Sequence, residues 1–418
     1  ERRFGVHAES RRVTRPPAVV TGLGVVGPHG IGRASLQDAL LAGRPLASEM
    51  DRSAGYHAAN SSRLAALVPR LDLARWLPQA EARRLSVPSR FAVAAARMAL
   101  EDAGIASLEG RRVAVVMATA FGALLFTEKL VRQILEERPE SAQPFYFSEC
   151  VANAAAGRVA IALGARGANV TITEREAGPL LALARGAQEV REGRADLAIA
   201  GSADEMTELL HALLDRFRGT ARAEGGHDEA PRPFDVARNG VLAGEGASVV
   251  VIEREDDAAA RGAPTLARVS ASGAAFDATA PVSDWGAGEA ALARALRGAL
   301  ARAGQGVETI DRIVSGASGA RRGDRLEAAT LAAAWGNVKL PPVVTPKAVV
   351  GEFGGGLLAA AVLAAEGATF GRLFAFETRD PSLSVFPHDG RPLPVPHRVL
   401  ITSLAAGGAA AWAVLERP

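Results

Sequence analysis

Thiols are nearly missing from this chain: among 418 residues there is a single cysteine, Cys150. An intrachain disulfide and a thiolate metal cluster are therefore excluded, and no metal or other cofactor is expected. Cys150 sits in a helical context, SECVANAAAGRVAIAL, without a tight elbow around it, and reads as packed and inert. Charge of one sign is lacking too: 48 Lys and Arg face 46 Asp and Glu, a net +2. With no basic stripe interleaved with aromatics, which make up only 5% of residues, nucleic acid is not an expected partner. No apolar run reaches membrane-spanning length, and the Arg-rich start lacks a signal-peptide core, so no membrane association is expected and the cytoplasm is the default. The seven histidines (His7, His29, His57, His211, His227, His388 and His397) stand apart from one another in sequence, and none is assigned a role.

What is plentiful is small and apolar. Hydrophobic residues make up 48%, glycine contributes 44 residues, and the length suffices for a large core of closely packed helices and sheets. Glu1–Pro17 reads as a polar leader. PPAVVTGLGVVGPHG follows as a strand entering a Gly-rich turn. A dinucleotide fingerprint would need a helix directly after the glycines, and Pro28 and His29 interrupt it. SRFAVAAARMALEDA is an amphipathic helix stopped by Gly104, RRVAVVMATAFGA a buried strand, and LLFTEKLVRQILEE a helix with Leu124, Thr127, Leu130 and Val131 along one face. The most organised stretch is GANVTITEREAGPLLALARGAQEVREGRADLAIAGSADE. It reads as a strand (Asn169–Thr173), an elbow, a helix of about 15 residues with Leu180, Leu183, Ala184 and Ala187 at helical spacing, a stop at Gly193, and a second strand (Asp196–Ala200). Such an elbow presents a side chain at a helix N-terminus, where negative charge is stabilised. The second half echoes the first, RIVSGASGA against VAVVMATAFGA, which predicts an α/β protein of two similar halves, 18–256 and 257–418, meeting near Asp256–Pro264.

These words resemble the β-ketoacyl synthases of the thiolase-like superfamily. VVTGLGVVGPHG matches their opening. PRPFDVARNGVLAGEGA matches their P-F-D-x-x-R-x-G-x-x-x-G-E-G-A at Pro233, Phe234, Asp235, Arg238, Gly240, Gly244, Glu245, Gly246 and Ala247, a motif read as a structural brace. The resemblance runs from Ala18 to the end and implies the five-layered α-β-α-β-α fold. Laid on the family's D-T-A-C-S-S-G elbow, the chain puts Glu176 at the nucleophilic cysteine. Its VSGASGARRGDRLEA, anchored by Gly323, Asp324 and Glu327, puts Gly316 at the first histidine. TPKAVVGEFGGG keeps Lys347 and Gly351 but has Glu352 at the second histidine, and Ala406 replaces the phenylalanine gate of the C-terminal G-F-G-G loop.

A condensing enzyme needs a thiolate to take the acyl chain and histidines to stabilise the enolate left by decarboxylation. With those groups exchanged, no catalytic residue is expected. Two buried carboxylates, Glu176 and Glu352, would raise each other's pKa unless a cation intervened, and Lys347 could supply it, with Glu176 within salt-bridge distance. The resemblance is greatest to the chain-length factors of type II polyketide synthases, which pair with a catalytic ketosynthase, reach acyl carrier protein through that complex, and shape the acyl tunnel. By position, Leu124, Thr127 and Val131 are the expected tunnel residues, with Phe121 and Phe145 behind them. In this family that helix and the segment Pro144–Phe147 lie near the dimer interface. Glutamate in place of the usual glutamine at the cysteine position leaves aromatic and reduced polyene pathways both open. Two other readings stay open: a malonyl-thioester decarboxylase making starter units, which an anionic Glu176 opposes, and a non-enzymatic homodimeric acyl-binding scaffold.

Overall fold

The computed structural model describes residues 16–418; of the expected polar leader, residues 1–15 lie outside the described residues. Ten strands form the path of an eleven-stranded sheet. They are β1 (Ala18–Gly27), β2 (Val113–Ala118), β3 (Asn169–Ile172), β4 (Leu197–Asp204), β5 (Gly246–Arg254), β6 (Ala267–Phe276), β7 (Arg312–Val314), β8 (Val343–Val344), β9 (Arg398–Leu404) and β10 (Ala409–Glu416). Their spatial order is β3-β2-β4-β5-β1-β6-β10-β9-β7-β8. β2 pairs in parallel with β3 and β4, and β4–β5 and β5–β1 are antiparallel. The same sequence of pairings recurs with β7 parallel to β8 and β9, then β9–β10 and β10–β6 antiparallel. The two sets join where Ala18, Val19 and Val20 of β1 pair with Val269, Arg268 and Ala267 of β6. RIV of β7 thus occupies the place of VAVVMA of β2, as the echoed words suggest.

Both faces of the sheet are covered, so its strands bury alternate residues in different cores. Ala114, Val116 and Ala118 of β2 join the central core, whereas Val113, Val115 and Met117 join an outer one. The central layer holds α5 (Gly178–Arg191) and α8 (Gly356–Glu366); α1 (Val87–Asp102) and α4 (Ala154–Leu163) cover the outside of the first set. The outside of the second set is covered by α6 (Glu289–Arg302) and α7 (Arg321–Trp335). Between α1 and α5 in sequence lie α2 (Leu124–Arg132) and α3 (Pro144–Cys150), before α4. The five layers expected from the sequence are present. α8, GLLAAAVLAAE, is apolar on all sides because it lies between two strand layers, with nine of its residues buried.

The glycines of TGLG belong to β1 itself, not to a nucleotide-binding turn. A Cβ at Gly24 would lie 1.9 Å from the carbonyl oxygen of Ala95, and one at Gly22 2.1 Å from that of Ala99, so these glycines let α1 lie directly on the strand. The helix expected through Glu137 is α-helical only to Arg132 and widens into a π turn over Gln133–Glu137. Pro139 follows, and it forces Arg138 into an extended conformation (φ −159°, ψ 153°).

Candidate functional site

The elbow expected after the third strand is present. β3 ends at Ile172, Arg175 turns the chain with φ +36°, a single 3-10 turn spans Arg175–Ala177, and α5 begins at Gly178 with Pro179 in its first turn. Glu176 sits at the head of α5, buried at 8% exposure, with its carbonyl oxygen accepting a hydrogen bond from Ser403 Oγ at 2.6 Å. Its Oε2 has no hydrogen-bond partner. Burial, with the neighbouring Glu352 carboxylate as a second cause and Lys347 opposing, pushes the Glu176 carboxyl up to about 7.

Lys347, Glu352 and Glu176 are gathered in one small cavity, with Asp204, Gly351 and Phe353 also in its wall. The lysine, however, does not serve Glu176. Lys347 Nζ lies 2.5 Å from Glu352 Oε1, both side chains are almost fully buried, and Glu176 forms no ion pair among the described residues. The expected Glu176–cation contact is therefore corrected. A short helix, Lys347–Val350, folds the lysine back over Gly351 onto Glu352, and Glu352 is fixed there by its N–H to Leu242 O (2.7 Å) and its carbonyl to Gly244 N (2.8 Å). About 20 Å³ of space remains, room for about one water.

Gly316, which the sequence aligns with the first histidine, has no space for a side chain. A Cβ there would fall 2.6 Å from the carbonyl oxygen of Thr402 and 3.0 Å from Ser403 Cα, so a histidine would have to displace β9. Glu327, noted in the sequence only as an anchor, closes this corner: it accepts hydrogen bonds from Ser315 Oγ (2.5 Å), Gly316 N (3.2 Å) and Thr402 Oγ1. Burial holds its carboxyl above the usual range. Ala406, which the sequence aligns with the phenylalanine gate, offers its carbonyl to Arg175 Nη1 at 3.3 Å.

The five tunnel candidates do not share one environment. Phe121 and Leu124 pack, half-buried, on a small cluster of Met50, Ala65, Met206, Leu210 and Ala243, together with Phe353, a residue without any sequence signal. Thr127 donates to Ala123 O at 2.9 Å. The Cys150 thiol lies beside Thr127, and burial pushes its pKa up, away from the reactive thiolate form. Val131 is 45% exposed, and Phe145, 37% exposed, packs on Phe126 and Tyr146. These two face outwards rather than joining Leu124. Around them Ile134, Leu135, Phe147, Val151 and Ile161 are exposed, and β3 is an edge strand of the sheet. An apolar patch beside an edge strand is the signature of a protein–protein surface.

The brace expected at PFDVARNG is assembled, its partners being mostly backbone groups. Asp235 accepts from the N–H groups of Ala237, Glu377 and Thr378, and Arg238 Nη1 reaches Asp380 Oδ2 at 2.6 Å. Glu245 accepts from Val68 N and Met206 N. Among the described residues no helix is long and apolar enough to cross a membrane, and no group of His, Cys, Asp and Glu could hold a metal ion.

Five layers and an elbow at the head of the central helix define a thiolase-like condensing-enzyme body. Residues 15–258 match the N-terminal domain of β-ketoacyl synthases and residues 266–366 the C-terminal domain; the chain belongs to the β-ketoacyl synthase family. It is 31% identical to the 3-oxoacyl-[acyl-carrier-protein] synthase 2 of Vibrio cholerae over 67% of this chain and 69% of that one. It is 32% identical to a protein of Streptomyces halstedii described as polyketide beta-ketoacyl synthase 2, over 83% of this chain and 82% of the relative. Among solved structures, the ishigamide ketosynthase/chain length factor superposes with a TM-score of 0.87 at 28% identity, over 97% of this chain and all of that one.

Proposed function

We propose that this chain is a non-condensing ketosynthase homologue: it pairs with a catalytic ketosynthase, meets acyl carrier protein through that complex, and shapes the space into which an acyl chain grows. The observation that carries the reading is the filled pocket. A thiolate and two histidines are replaced by Glu176, Gly316 and Glu352; Glu352 is paired with Lys347, and about 20 Å³ of space is left beside Glu176. A carboxylate is a poor nucleophile towards a thioester, and Glu176 Oε2 has no hydrogen-bond partner that would activate it. The apolar patch around Phe145 and Phe147 and the edge strand β3 supply a mating surface. The likeness to a ketosynthase/chain length factor supports the same assignment.

The test is reconstitution. Co-expressed with a catalytic type II polyketide ketosynthase from the same genome, the chain is expected to form a 1:1 heterodimer by native mass spectrometry. Alone, it should take up no acyl group from acyl carrier protein and release no acetyl product from malonyl carrier protein. Thr127→Phe is expected to shorten the product of the pair by at least one extender unit. Acylation or decarboxylation by the isolated chain, or a homodimer that ignores the ketosynthase, would overturn the proposal.

A further inference from the structure

The loop after the Lys347–Glu352 pair is bent in an unusual way. Gly351, Phe353, Gly354 and Gly355 have φ of +86°, +75°, +65° and +77°. Glycine adopts such angles freely; a bulky L-residue does so only where its surroundings enforce it, and the cost points to a role. The enforcement is visible. Glu352 is held by Leu242 and Gly244, the Gly354 N–H donates to Asp204 Oδ2 at 3.3 Å, and the Glu352 carboxylate is pinned by Lys347. What the loop presents is the ring of Phe353, edge-on to Phe121 with centroids 5.0 Å apart and planes at 76°, a favourable aromatic geometry. Both rings pack on the Met206–Leu210 cluster that also receives Leu124, the first residue of α2. Phe121 is in turn held from below, since Asp204 accepts from Thr119 Oγ1 and Ala120 N.

We propose that Phe353 is a positioning residue for product length. The loop that carries a histidine in condensing relatives serves here as a buttress, fixing Phe121 and the first turn of α2 as a wall of the growing-chain space. The inference rests on the chain-length reading above and adds to it a residue outside the interface helix. A wall of this kind is set by bulk and rigidity rather than by chemistry, so a change at Phe353 alters where elongation stops and leaves the partner's condensation steps intact.

The experiment uses the reconstituted heterodimer with its carrier protein and reads product length by mass spectrometry beside total turnover. Phe353→Ala is expected to move the main product to a longer chain while turnover stays within about threefold of the parent. Phe353→Tyr, which keeps the ring, should retain the parent product, and Phe353→Leu should lengthen it less than Ala does. Because the two rings act as one unit, Phe121→Ala and the double variant should give the same product distribution. An unchanged product from Phe353→Ala in an intact heterodimer overturns the inference. So does a double variant that is longer than Phe121→Ala. If Phe353→Ala does not pair with the ketosynthase, Phe353→Leu decides, and an unchanged product there is equally fatal. Thr127→Phe is run in parallel: shortening there with no effect at Phe353 removes this inference alone, whereas no effect at either removes the chain-length reading itself.

Discussion

Two buried ionic arrangements of this protein can be set side by side. In the PFDVARNG brace every carboxylate is occupied: Asp235 has three backbone N–H donors, Asp324 accepts from Phe234, Ser318 and Gly319, and Asp380 takes Arg238 and Ser382. In the elbow pocket one pair is made, Lys347 with Glu352, and Glu176 Oε2 is left without a partner. Burying a charge without a partner is costly, and the Glu176 carboxyl answers by holding its proton up to about pH 7. The brace ties residues 235–238 to 324 and 377–380, so its loss is felt across the second strand set. The pocket is tied to its surroundings chiefly through backbone groups, Glu352 to Leu242 and Gly244 and the Glu176 carbonyl to Ser403, while its one side-chain ion pair, Lys347 with Glu352, lies within a single loop. The first is the arrangement of a scaffold under structural demand; the second is the arrangement on which the proposed loss of condensing chemistry rests.

The comparison breaks most visibly at Arg238. Arg238→Ala leaves Asp380 and Asp324 without their guanidinium and is expected to cost about 3–5 kcal/mol, read as loss of soluble folded protein. A variant that melts within a few degrees of the parent would mean that the brace is ornamental.

Lys347 comes next. Lys347→Met strands Glu352 beside Glu176, two buried carboxyls with no cation, and should destabilise by about 3 kcal/mol. Adding Glu352→Gln removes the stranded charge and should recover most of that loss, measured as melting temperature. If the double variant is as unstable as the single one, the lysine acts through packing of its alkyl stem rather than through its charge.

Much of this is legible in the amino-acid sequence alone. The elbow, the two echoed halves and the braced loop are written in local patterns: apolar alternation, Gly stops, and a motif whose residues lie close in sequence. What was not legible depends on tertiary placement. Which of two carboxylates receives Lys347 is decided by the turn at Gly351, not by composition. β4 runs on from Ala200 to Asp204 because Ser202, Ala203 and Asp204 pair with Ser248, Ala247 and Gly246, and buried polar residues interrupt the apolar pattern that marks a strand. That Gly316 has no room for a side chain required β9 to be in place. Phe353 is one phenylalanine among glycines, and nothing in GEFGGG announces a left-handed backbone or a ring contact with Phe121, more than two hundred residues earlier.

The finest test of the comparison is the unpartnered carboxyl. Glu176 ordinarily titrates at 4.5 and is pushed up to about 7 by burial and by Glu352. Its folded state therefore holds a proton that the unfolded chain releases between these two values. In that window the unfolded state binds fewer protons, so stability falls as pH rises from about 4.5 to about 7 and is level beyond it. Glu176→Gln is neutral at every pH and escapes this loss. It should exceed the parent only slightly in melting temperature at pH 5 and by the equivalent of about 3 kcal/mol at pH 8. A gain of equal size at both pH values would assign the effect to the amide's extra hydrogen bonds. A loss at pH 8 would mean that an ionised Glu176 is held by a partner, and the contrast between a satisfied brace and an unsatisfied pocket would be gone.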